Sequence, residues 1–560
     1  MINSPTFAPS RLRVSNLLEQ HFDTAFAAPD GIAKLRELIL TLAMQGKLVE
    51  QDPNDPPASE LLKEIEKEKV SREGAKARRG KEKTLPPVKA EEVPYQLPQG
   101  WEWVKIRDIC HDWGQKTPDA MITYIDVGAI DNKLGTISSN TQLLDASEAP
   151  SRARKIVKPG TVIYSTVRPY LLNIAIVEKE YDPEPIASTA FAILHPFALL
   201  SARYIYHYLR SPAFIRYVES AQKGVAYPAI NDGDFFSGLF PLSPLPEQHR
   251  IVARIDQLMA RCDALETLRK EREEKRLAVH AAAIKQLLDP TLRAFAPSRE
   301  ENSSFEFLAQ HFGELYTVKE NVAELRKAIL QLAVMGRLVP QNPNDPPASE
   351  LLKEIEAEKQ RASREGAKTR RGKEKKLPPI KPEEVPYELP QGWEWVRLGE
   401  LFRVTSGKNL PKDKMQDGNI PVFGGNGITG FHNKSNVEKP TVVIGRVGYY
   451  CGSIHLTPAK AWITDNAFLT IYDEERLFQG FVIWLLKTIN LQVDTSATAQ
   501  PVISGSKIYP ILIPLPPLPE QHRIVARIDQ LMALCDTLDQ QIEAATGKQS
   551  ELLDAVMAAV

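Results

Sequence analysis

A stretch of twenty-one residues occurs twice in this chain, and that duplication limits the folds available to it. Residues 245–265 read LPEQHRIVARIDQLMARCDAL, and residues 518–538 match them at nineteen of the twenty-one positions. Apolar residues within each copy recur at spacings of four and three, the pattern of an a/d seam on a helix. The seam positions are Ile251, Ile255, Leu258, Cys262 and Leu265, and then Ile524, Ile528, Leu531, Cys535 and Leu538. Two copies predict two long helices that pack on each other or on equivalent partners, whereas one copy alone would indicate an ordinary amphipathic core helix.

The duplication extends over most of the chain. Further segments repeat: 18–22 as 308–312, 35–49 as 325–339, 54–66 as 344–356, and 85–106 as 377–398. The second pair predicts amphipathic helices that end at Gly46 and Gly336. The third predicts a short helix that begins at Ala58 or Ser59. The prolines and tryptophans of the fourth predict an extended lead into the first strand of a new domain.

A run of Lys, Arg and Glu follows the short helix in each copy, at 67–83 and 358–376. The run contains almost no apolar residues and therefore cannot bury a core. We interpret it as a solvated helix or a mobile linker, with phosphate contact as the alternative.

Between the tryptophans and the long helices the two copies diverge, at about 104–244 and 396–517. Short runs of β-forming residues separated by Gly, Pro and Asn predict a mixed, mainly β domain in each insert, with one or two helices. Weak likeness aligns 157–163 with 438–444, 190–191 with 467–468, and 227–230 with 500–503. A shared frame that carries two different inserts indicates one protein that recognises two different targets.

The composition narrows the class of protein. A chain of 560 residues is too long for one core and should fold as several domains. The formal charge of −1 at pH 7 excludes a uniformly basic nucleic-acid binder but leaves room for local basic patches. Four separated cysteines without a CxxC pair argue against a disulfide framework or a zinc site. Because no apolar run approaches about eighteen residues, we expect no membrane partner and a cytoplasmic protein.

Both inserts place cations and planar side chains in turn-rich segments. Arg pairs with guanine, Asn and Gln pair with adenine, and Lys binds phosphate without regard to sequence. The candidate DNA-binding residues are Arg154, Lys155, Arg168, Tyr170 and Tyr227 in the first insert, and Lys408, Asn426, Arg446, Tyr449 and Gln500 in the second. Each residue taken singly is compatible with a core aromatic or a solvated loop. The prediction therefore depends on their arrangement in two variable inserts on a duplicated frame.

No catalytic constellation stands out. The sequence Asp-Pro-Pro-Ala at 55–58 and 345–348 is similar to the loop with which amino-methyltransferases hold a flipped base. Alanine replaces the stacking aromatic residue of that loop, however, and no glycine-rich cofactor loop precedes it. Neither His249 nor His522 has a nucleophile or a second ligand at a useful spacing. We therefore predict no catalytic, cofactor-binding or metal-binding residue in this chain.

The duplicated LPEQHRIVARIDQLM, with the duplicated LRxxILxLAxxGxLV and the NDPPAS that follows it, resembles the specificity subunit of type I restriction–modification systems. The resemblance covers roughly residues 18–560. It implies that the inserts are target recognition domains, each reading one half of a split site in double-stranded DNA. It also implies that the repeated helices form an antiparallel coiled coil that docks two methyltransferase subunits, with restriction subunits joining the full complex. S-adenosylmethionine, ATP and Mg would then be bound by those partners.

The resulting fold class is α+β and multidomain: two mixed, mainly β target recognition domains joined by long antiparallel coiled-coil helices, with an internal two-fold repeat. The expected segments are a helical region and charged linker at 1–100, the first recognition domain at 101–244, a central repeat region at 245–392, the second recognition domain at 393–517 and a terminal repeat helix at 518–560. Two other functions stay open: a free-standing DNA-binding regulator or scaffold, and a methyltransferase or endonuclease with its own activity. The long apolar seams disfavour the former, and the missing cofactor loop disfavours the latter.

Overall fold

A computed structural model describes residues 26–76, 88–89, 91–197, 200–224, 226–289, 307–366, 377–492 and 502–558. These residues form two compact units. Unit 1 comprises the described parts of Met1–Glu271 and Thr546–Val560, and unit 2 comprises those of Arg272–Ala545. None of the helices described there combines the length and the apolar character that a membrane span requires.

Unit 1 begins with helices and continues into sheets. Its helices are α1 (Gly31–Met44), α2 (Ala58–Lys76), α3 (Ile106–Ile109), α4 (Ala202–Leu209), α5 (Pro212–Ala221), α6 (Asp232–Phe236) and, up to Glu271, α7 (Leu245–Leu287). Its strands are β1 (Glu102–Lys105), β2 (Cys110–His111), β3 (Ile122–Ile125), β4 (Ile130–Asp131), β5 (Thr136–Ile137), β6 (Gln142–Leu144), β7 (Ala153–Ile156), β8 (Val162–Ser165), β9 (Ile174–Ile176), β10 (Pro185–Ser188), β11 (Phe191–Pro196) and β12 (Leu239–Leu242). Gly46 follows α1 with a φ of 66°, which confirms the predicted glycine stop. Ser211 caps α5 and Pro212 opens it, so α4 and α5 are separate helices.

Two four-stranded sheets pack face to face in unit 1. Their strand orders are β6-β3-β10-β7 and β2-β11-β8-β9, and β1 pairs separately with β12. Alternate residues of β8 enter different buried clusters: Val162 and Tyr164 join the helices, whereas Ile163 joins residues of the other sheet, such as Ile125. The β2-β11-β8-β9 sheet is therefore covered on both faces. This is why its central strands are continuously apolar.

Unit 2 contains a second set of the same kinds of element. Its helices are the remainder of α7, α8 (Phe312–Leu315), α9 (Lys319–Val334), α10 (Ala348–Gly366), α11 (Leu398–Leu401), α12 (Gln479–Thr488), α13 (Gly505–Ile508) and, up to Ala545, α14 (Leu518–Ala558). Its strands are β13 (Glu394–Arg397), β14 (Arg403–Ser406), β15 (Ile420–Gly424), β16 (Gly427–His432), β17 (Val442–Gly445), β18 (Ile454–Leu456), β19 (Trp462–Ile463), β20 (Ala467–Ile471) and β21 (Leu512–Leu515).

The sheets of unit 2 have the strand order of those in unit 1. The β14-β20-β17-β18 sheet corresponds to β2-β11-β8-β9, and β16-β15-β19 corresponds to β6-β3-β10. In both units one strand pair of this second sheet, β3 with β10 or β15 with β19, is parallel. The strand that opens each domain, β1 or β13, pairs antiparallel with the strand before the long helix. The predicted mainly β inserts and the predicted internal repeat are confirmed.

Helices α2 and α10 begin at Ala58 and Ala348, in agreement with the sequence, but they continue into the charged run. They are therefore longer than the short helices that the apolar pattern predicts. The remaining parts of the charged runs, 77–83 and 367–376, lie outside the described residues.

The predicted seam residues pack within their own units. The fully buried ones are Ile251, Ile255 and Cys262, which share a cluster with α1, and Ile524, Ile528 and Cys535, which share a cluster with α9. Leu258, Leu531 and Leu538 lie at the margins of these clusters. The long helices thus use equivalent partners along this face, because α1 and α9 are amphipathic helices of the same sequence pattern.

Leu265 departs from the seam prediction, because it is 44% exposed. At this level of α7, helix α1 makes an ionic contact instead of an apolar one. Arg36 pairs with Asp263 (2.6 Å) and Glu266 (2.9 Å) on either side of Leu265. The apolar part of the contact with α1 therefore ends before Leu265.

A buried polar network fixes the start of each long helix. Glu247 accepts hydrogen bonds from Trp101 Nε1 (2.8 Å) and Gln51 Nε2 (3.0 Å), and Glu520 accepts one from Trp393 Nε1 (2.9 Å). Burial raises the pKa of both carboxyl groups. The sequence assigns these glutamates to the positive ends of the helices. The structure adds that each carboxylate links its long helix to the tryptophan that precedes the first strand of the recognition domain. The repeated tryptophan motif and the repeated LPEQHR motif therefore contact each other in both units.

Candidate nucleic-acid interface

In unit 1, backbone hydrogen bonds hold the loop that follows β8 against the segment that precedes α6. Ile230 N donates to Thr166 O (3.0 Å), and Arg168 N donates to Pro228 O (2.8 Å). An antiparallel bridge joins the same two segments. We refer to residues 166–172 together with 226–230 as clamped loop 1.

Clamped loop 1 presents a cation and two aromatic rings to solvent. The guanidinium carbon of Arg168 lies 5.2 Å from the centre of the Tyr227 ring, within the range of a cation–π contact. Tyr227 is 70% exposed, and Tyr170 is exposed as well. Arg168 has a left-handed φ of 49°, a conformation that non-glycine residues adopt at an energetic cost. The surrounding hydrogen bonds therefore impose the position of this side chain, and neither tyrosine belongs to the core.

In unit 2, the loop after β17 has the same backbone arrangement. Ile503 N donates to Arg446 O (2.9 Å), and an antiparallel bridge again joins the two segments. Gly448 has a φ of 98°. Tyr449, which is 83% exposed, and Tyr450 place their rings edge to face with centroids 5.0 Å apart. We refer to residues 446–452 together with 502–503 as clamped loop 2.

The backbone hydrogen bonds decide which residues of the two loops correspond. Thr166 O and Arg446 O accept the equivalent bonds from the segment before the long helix, so Thr166 and Arg446 occupy equivalent positions. Two residues further along, Arg168 corresponds to Gly448, and both have positive φ. The same frame therefore displays an arginine in one domain and no side chain in the other.

The sheet register corrects the alignment of the strands that lead into these loops. Tyr164 pairs with Ala192, and Ile444 pairs with Phe468. Because Thr166 corresponds to Arg446, Tyr164 corresponds to Ile444, and Ala192 corresponds to Phe468. The alignment of 163 with 444 and of 190–191 with 467–468 is therefore wrong by one residue. The Lys-Pro that anchors the alignment is followed in the first domain by an additional residue, Gly160, in a left-handed turn with a φ of 84°.

Arg446 makes contacts within its own domain. Its Nη1 donates to Ser406 Oγ (2.9 Å) and to Asp465 O (3.3 Å), and its guanidinium carbon lies 5.2 Å from the centre of the Phe468 ring. The side chain is half-buried. Arg446 therefore braces the base of its loop, whereas Arg168 stands at the tip, and a DNA contact by Arg446 stays a prediction.

Lys408 and Asn426 lie at the same sheet edge as clamped loop 2. Lys408 follows β14 and Asn426 follows β15, and the ends of β14 and β17 meet at the start of β20. Ser453 Oγ donates to Gly425 O (3.0 Å) and so ties the turn of Asn426 to the end of clamped loop 2. Both candidate side chains are exposed. The structure thus brings a lysine, an amide and two tyrosines to one edge of the domain.

Lys155 is a correction to the predicted contacts. It is only 8% exposed, and its Nζ donates to Phe191 O (2.6 Å) and Asp232 Oδ2 (2.8 Å). The ammonium group is therefore used inside the domain, where it links β7 to the start of α6. Its neighbour Arg154 is half-buried on the same strand, and Gln500 lies outside the described residues.

Tyr450 is the functional candidate that the sequence analysis misses. Its ring packs against Tyr449 and is exposed, and the loop correspondence makes it the counterpart of Tyr170. The available signal is the tyrosine doublet itself, because two adjacent rings on a turn cannot both point into a core.

The Asp-Pro-Pro-Ala motif has a structural role. Asp55 pairs with Arg250 (2.6 Å), and Asp345 pairs with Arg523 (2.6 Å). Both aspartates are nearly buried, and each links the helical region to the first turns of a long helix. Within the described ranges, no group of three or more His, Cys, Asp or Glu side chains could hold a metal ion. The motif thus connects the repeated NDPPAS and LPEQHR sequences and does not form a base-holding loop.

Two parts of the chain, residues 98–274 and 390–545, match the model of the type I restriction modification DNA specificity domain. The chain belongs to this family. Each match contains one recognition domain with its clamped loop and the start of one long helix. The protein is a specificity subunit of a type I restriction–modification system, with two recognition domains on a repeated frame.

Curated relatives span nearly the whole specificity subunit. The type I restriction enzyme EcoAI specificity subunit of Escherichia coli is 32% identical, over 94% of this chain and 93% of its own length. The EcoEI specificity subunit of the same organism is 29% identical, over 94% and 93%. Among solved structures, the HsdS subunit from Thermoanaerobacter tengcongensis is 24% identical with a TM-score of 0.46, and the match covers 83% of this chain and 98% of that one.

Proposed function

We propose that this specificity subunit reads a bipartite asymmetric DNA site, one half with clamped loop 1 and the other with clamped loop 2. The observation that carries the proposal is that one backbone element occurs in both recognition domains with different side chains. Arg168, Tyr170 and Tyr227 stand on the first loop, and Tyr449 and Tyr450 stand on the second. Equal frames with unequal side chains read different base sequences, so the two half-sites differ.

The chemistry of each loop suits the edge of a duplex. An arginine grips guanine through two hydrogen bonds in the major groove. The ring of Tyr227 beneath Arg168 restricts the guanidinium, which lowers the conformational entropy lost on binding. On the second domain, Lys408 adds a phosphate contact and Asn426 offers an amide that pairs with adenine. Aromatic hydroxyl groups and ring faces complete both surfaces.

The subunit is non-catalytic in this proposal and assembles the catalytic partners. Two methyltransferase subunits dock on the repeated helices, one for each copy of the frame, and restriction subunits join the complete assembly. S-adenosylmethionine, ATP and Mg belong to those partners. Support comes from the nearly identical surfaces of the two helix starts, since a repeated surface suits two copies of one partner, and from the relatives, which are named as specificity subunits of restriction enzymes.

An exchange of residues 104–244 for the recognition domain of a relative tests the assignment of half-sites. The hybrid is produced with the methyltransferase subunits, and its target is found by sequencing methylated adenines. We expect one half of the target to change and the other to stay. A hybrid that changes both halves, or purified specificity subunit that methylates or cuts DNA by itself, would contradict the proposal.

Single substitutions test clamped loop 1. Arg168→Ala should weaken binding to the specific site by about 1–3 kcal/mol and relax discrimination at one base pair. Lys179→Ala is the matched control, because Lys179 also lies over an aromatic ring, at 5.1 Å from the centre of Tyr181, but follows the opposite end of β9. The control should bind as the unmodified protein does. Equal losses of Arg168→Ala on specific and random DNA would instead mean that Arg168 contacts only phosphate.

A further inference from the structure

The two long helices end in equivalent surroundings that differ in chemistry. The last turns of α14 belong to unit 1, where Leu553 and Val556 share a buried cluster with Phe26, Ala28 and Leu38. We call the second group, Phe26, Ala28 and Leu38, cradle 1. The buried side chains of the contact between the helix end and cradle 1 are all apolar.

The last turns of α7 belong to unit 2, where they meet the corresponding residues of the second repeat. His280 is fully buried, and its Nε2 lies 3.1 Å from the hydroxyl oxygen of Tyr316. The two rings are nearly perpendicular, with centroids 5.1 Å apart. Ala283 and Ile284 continue the contact within the same buried cluster as Val322. We call Tyr316, Val318 and Ala328 cradle 2, since they stand 290 positions after the three residues of cradle 1. Tyr316 and Ala328 share the buried cluster of Ala283 and Ile284, and Val318 is half-buried.

The two contacts are equivalent by the repeat. Phe26 corresponds to Tyr316 through the offset of 290 that relates the helical regions. Leu553 corresponds to His280 through the offset of 273 that relates the long helices, and neither helix is interrupted between its start and this position. One central pair is therefore leucine on phenylalanine, and the other is histidine hydrogen-bonded to tyrosine.

The wrong combinations would bury polar groups without partners. Leu553 on Tyr316 would leave the phenol hydroxyl unpaired, and His280 on Phe26 would leave the imidazole Nε2 unpaired. A buried group that loses its hydrogen-bond partner lowers an equilibrium constant by roughly tenfold or more. The helix ends differ at most other positions as well, but this pair is the one whose mismatch would bury an unpaired polar group.

We infer that the two central pairs make each helix end specific for its own cradle. Cradle 2 fits the end of α7 better than the end of α14, whether that end comes from the same chain or from a second copy of it. A chain built from two halves on a repeated frame is exposed to exchange of equivalent elements between copies. The polar pair of unit 2 acts against that exchange, in addition to its contribution to packing.

Hydrogen exchange of the full chain tests the complementarity of the pair. The peptide that covers residues 274–287 reports the attachment of the α7 end. Tyr316→Phe alone and His280→Leu alone should each speed its exchange by about tenfold, since each leaves one polar group or one gap. The double variant His280→Leu/Tyr316→Phe recreates the apolar pair of unit 1 and should recover most of the protection. A double variant as fast as the sum of the single variants would overturn the inference.

Mixing of two tagged forms of the full chain tests discrimination. The forms are purified separately, combined at equal concentration and assayed for complexes that carry both tags. The double variant, in which both cradles are apolar, should form mixed complexes at several times the level of the unmodified chain. The matched control is Leu553→His/Phe26→Tyr, in which both cradles carry the polar pair, and it should mix to a similar extent. Recovery of protection without any increase in mixing would mean that the pair stabilises unit 2 but does not discriminate.

Discussion

The carboxylate of Asp256 lies 3.3 Å from Nε2 of His207. Asp256 stands on α7 within the repeated sequence, and His207 stands on α4 of the first recognition domain. Arg203 also pairs with this carboxylate (3.0 Å). In unit 2 the equivalent aspartate, Asp529, accepts a hydrogen bond from Trp484 Nε1 (3.0 Å) instead. A repeated aspartate therefore anchors each recognition domain to its long helix, through a titratable partner in one unit only.

This difference predicts that acid loosens the first recognition domain more than the second. Burial lowers the pKa of His207, so the folded state disfavours the protonated ring. The neutral His207 ring therefore contributes its full stabilisation above the unfolded pKa of about 6.5. This stabilisation is lost as the pH falls from that value towards the lower pKa of the folded state. Hydrogen bonds from His207 and Arg203 lower the pKa of Asp256 to about 2, and its contribution to stability is lost as pH falls from about 4 to that value.

Hydrogen exchange at pH 7.5 and at pH 5, corrected for intrinsic rates, measures the effect. Protection of α4 should fall at the lower pH, whereas protection of α12, which carries Trp484, should change little. In His207→Gln the two helices should respond alike. An equal response of α4 and α12 in the unmodified chain would contradict the prediction.

The tryptophan–glutamate bonds predict a second, symmetric result. Trp101→Phe removes the donor to buried Glu247, and Trp393→Phe does the same to Glu520. Each substitution should cost about 1–3 kcal/mol, because a buried carboxylate is left with fewer partners. Local exchange at residues 245–252 and 518–525 measures the two losses separately. Glu247→Gln keeps an acceptor oxygen and should therefore lower the stability less than Glu247→Ala does. The reverse order would show that the hydrogen bond does not stabilise the helix start.

The ion pair of the Asp-Pro-Pro-Ala motif gives a third prediction. Asp55→Ala removes the partner of Arg250, whose side chain is 37% exposed and can be hydrated instead, and should lower the stability of unit 1 by about 1 kcal/mol. The DNA target mapped by methylation should stay unchanged, since Asp55 braces the frame and is distant in sequence from both clamped loops. Asp345→Ala should behave in the same way in unit 2. A shift of the methylated sequence in either variant would indicate a direct part in DNA reading.

The sequence predicts the repeated frame well because the apolar spacing and the cap residues of a helix are local sequence signals. Gly46, Ala58 and the Glu247 helix start are all where these signals indicate. Side-chain roles inside the recognition domains are less predictable. Lys155 and Arg168 are both cations in turn-rich segments, yet only tertiary structure supplies the Asp232 carboxylate that keeps Lys155 inside the domain.

Register errors have a similar cause. The match of Lys-Pro and of branched residues in the strands favours an alignment one residue away from the observed one. A strand that is buried on both faces is apolar at every position, so its pattern does not penalise a shift of one. Only the hydrogen bonds of Tyr164 and Ile444 with their neighbours decide the register. In the observed register Arg446 corresponds to Thr166, and Arg168 corresponds to Gly448.

The last prediction combines the internal repeat with the specificity of each helix end for its cradle. A chain shortened to residues 305–560 retains the end of α14 but loses Phe26, and it retains Tyr316 but loses His280. Two copies can cover each other's exposed surfaces by placing Leu553 of one on cradle 2 of the other, so we expect a dimer with two identical recognition domains. Its DNA target, mapped with the methyltransferase subunits, should be an inverted repeat of one half-site.

That dimer buries the Tyr316 hydroxyl against leucine, so Tyr316→Phe should tighten it. The expected gain is about 1 kcal/mol, a roughly fivefold lower dissociation constant by sedimentation. Tyr387→Phe is the control: it removes a hydroxyl that donates to Val334 O (3.0 Å) away from the helix end, and it should not tighten the dimer. A shortened chain that stays monomeric would refute the two-fold frame. A dimer that Tyr316→Phe weakens would leave the frame intact but refute the proposed fit of Leu553 on Tyr316, because the hydroxyl would then have a partner in the dimer.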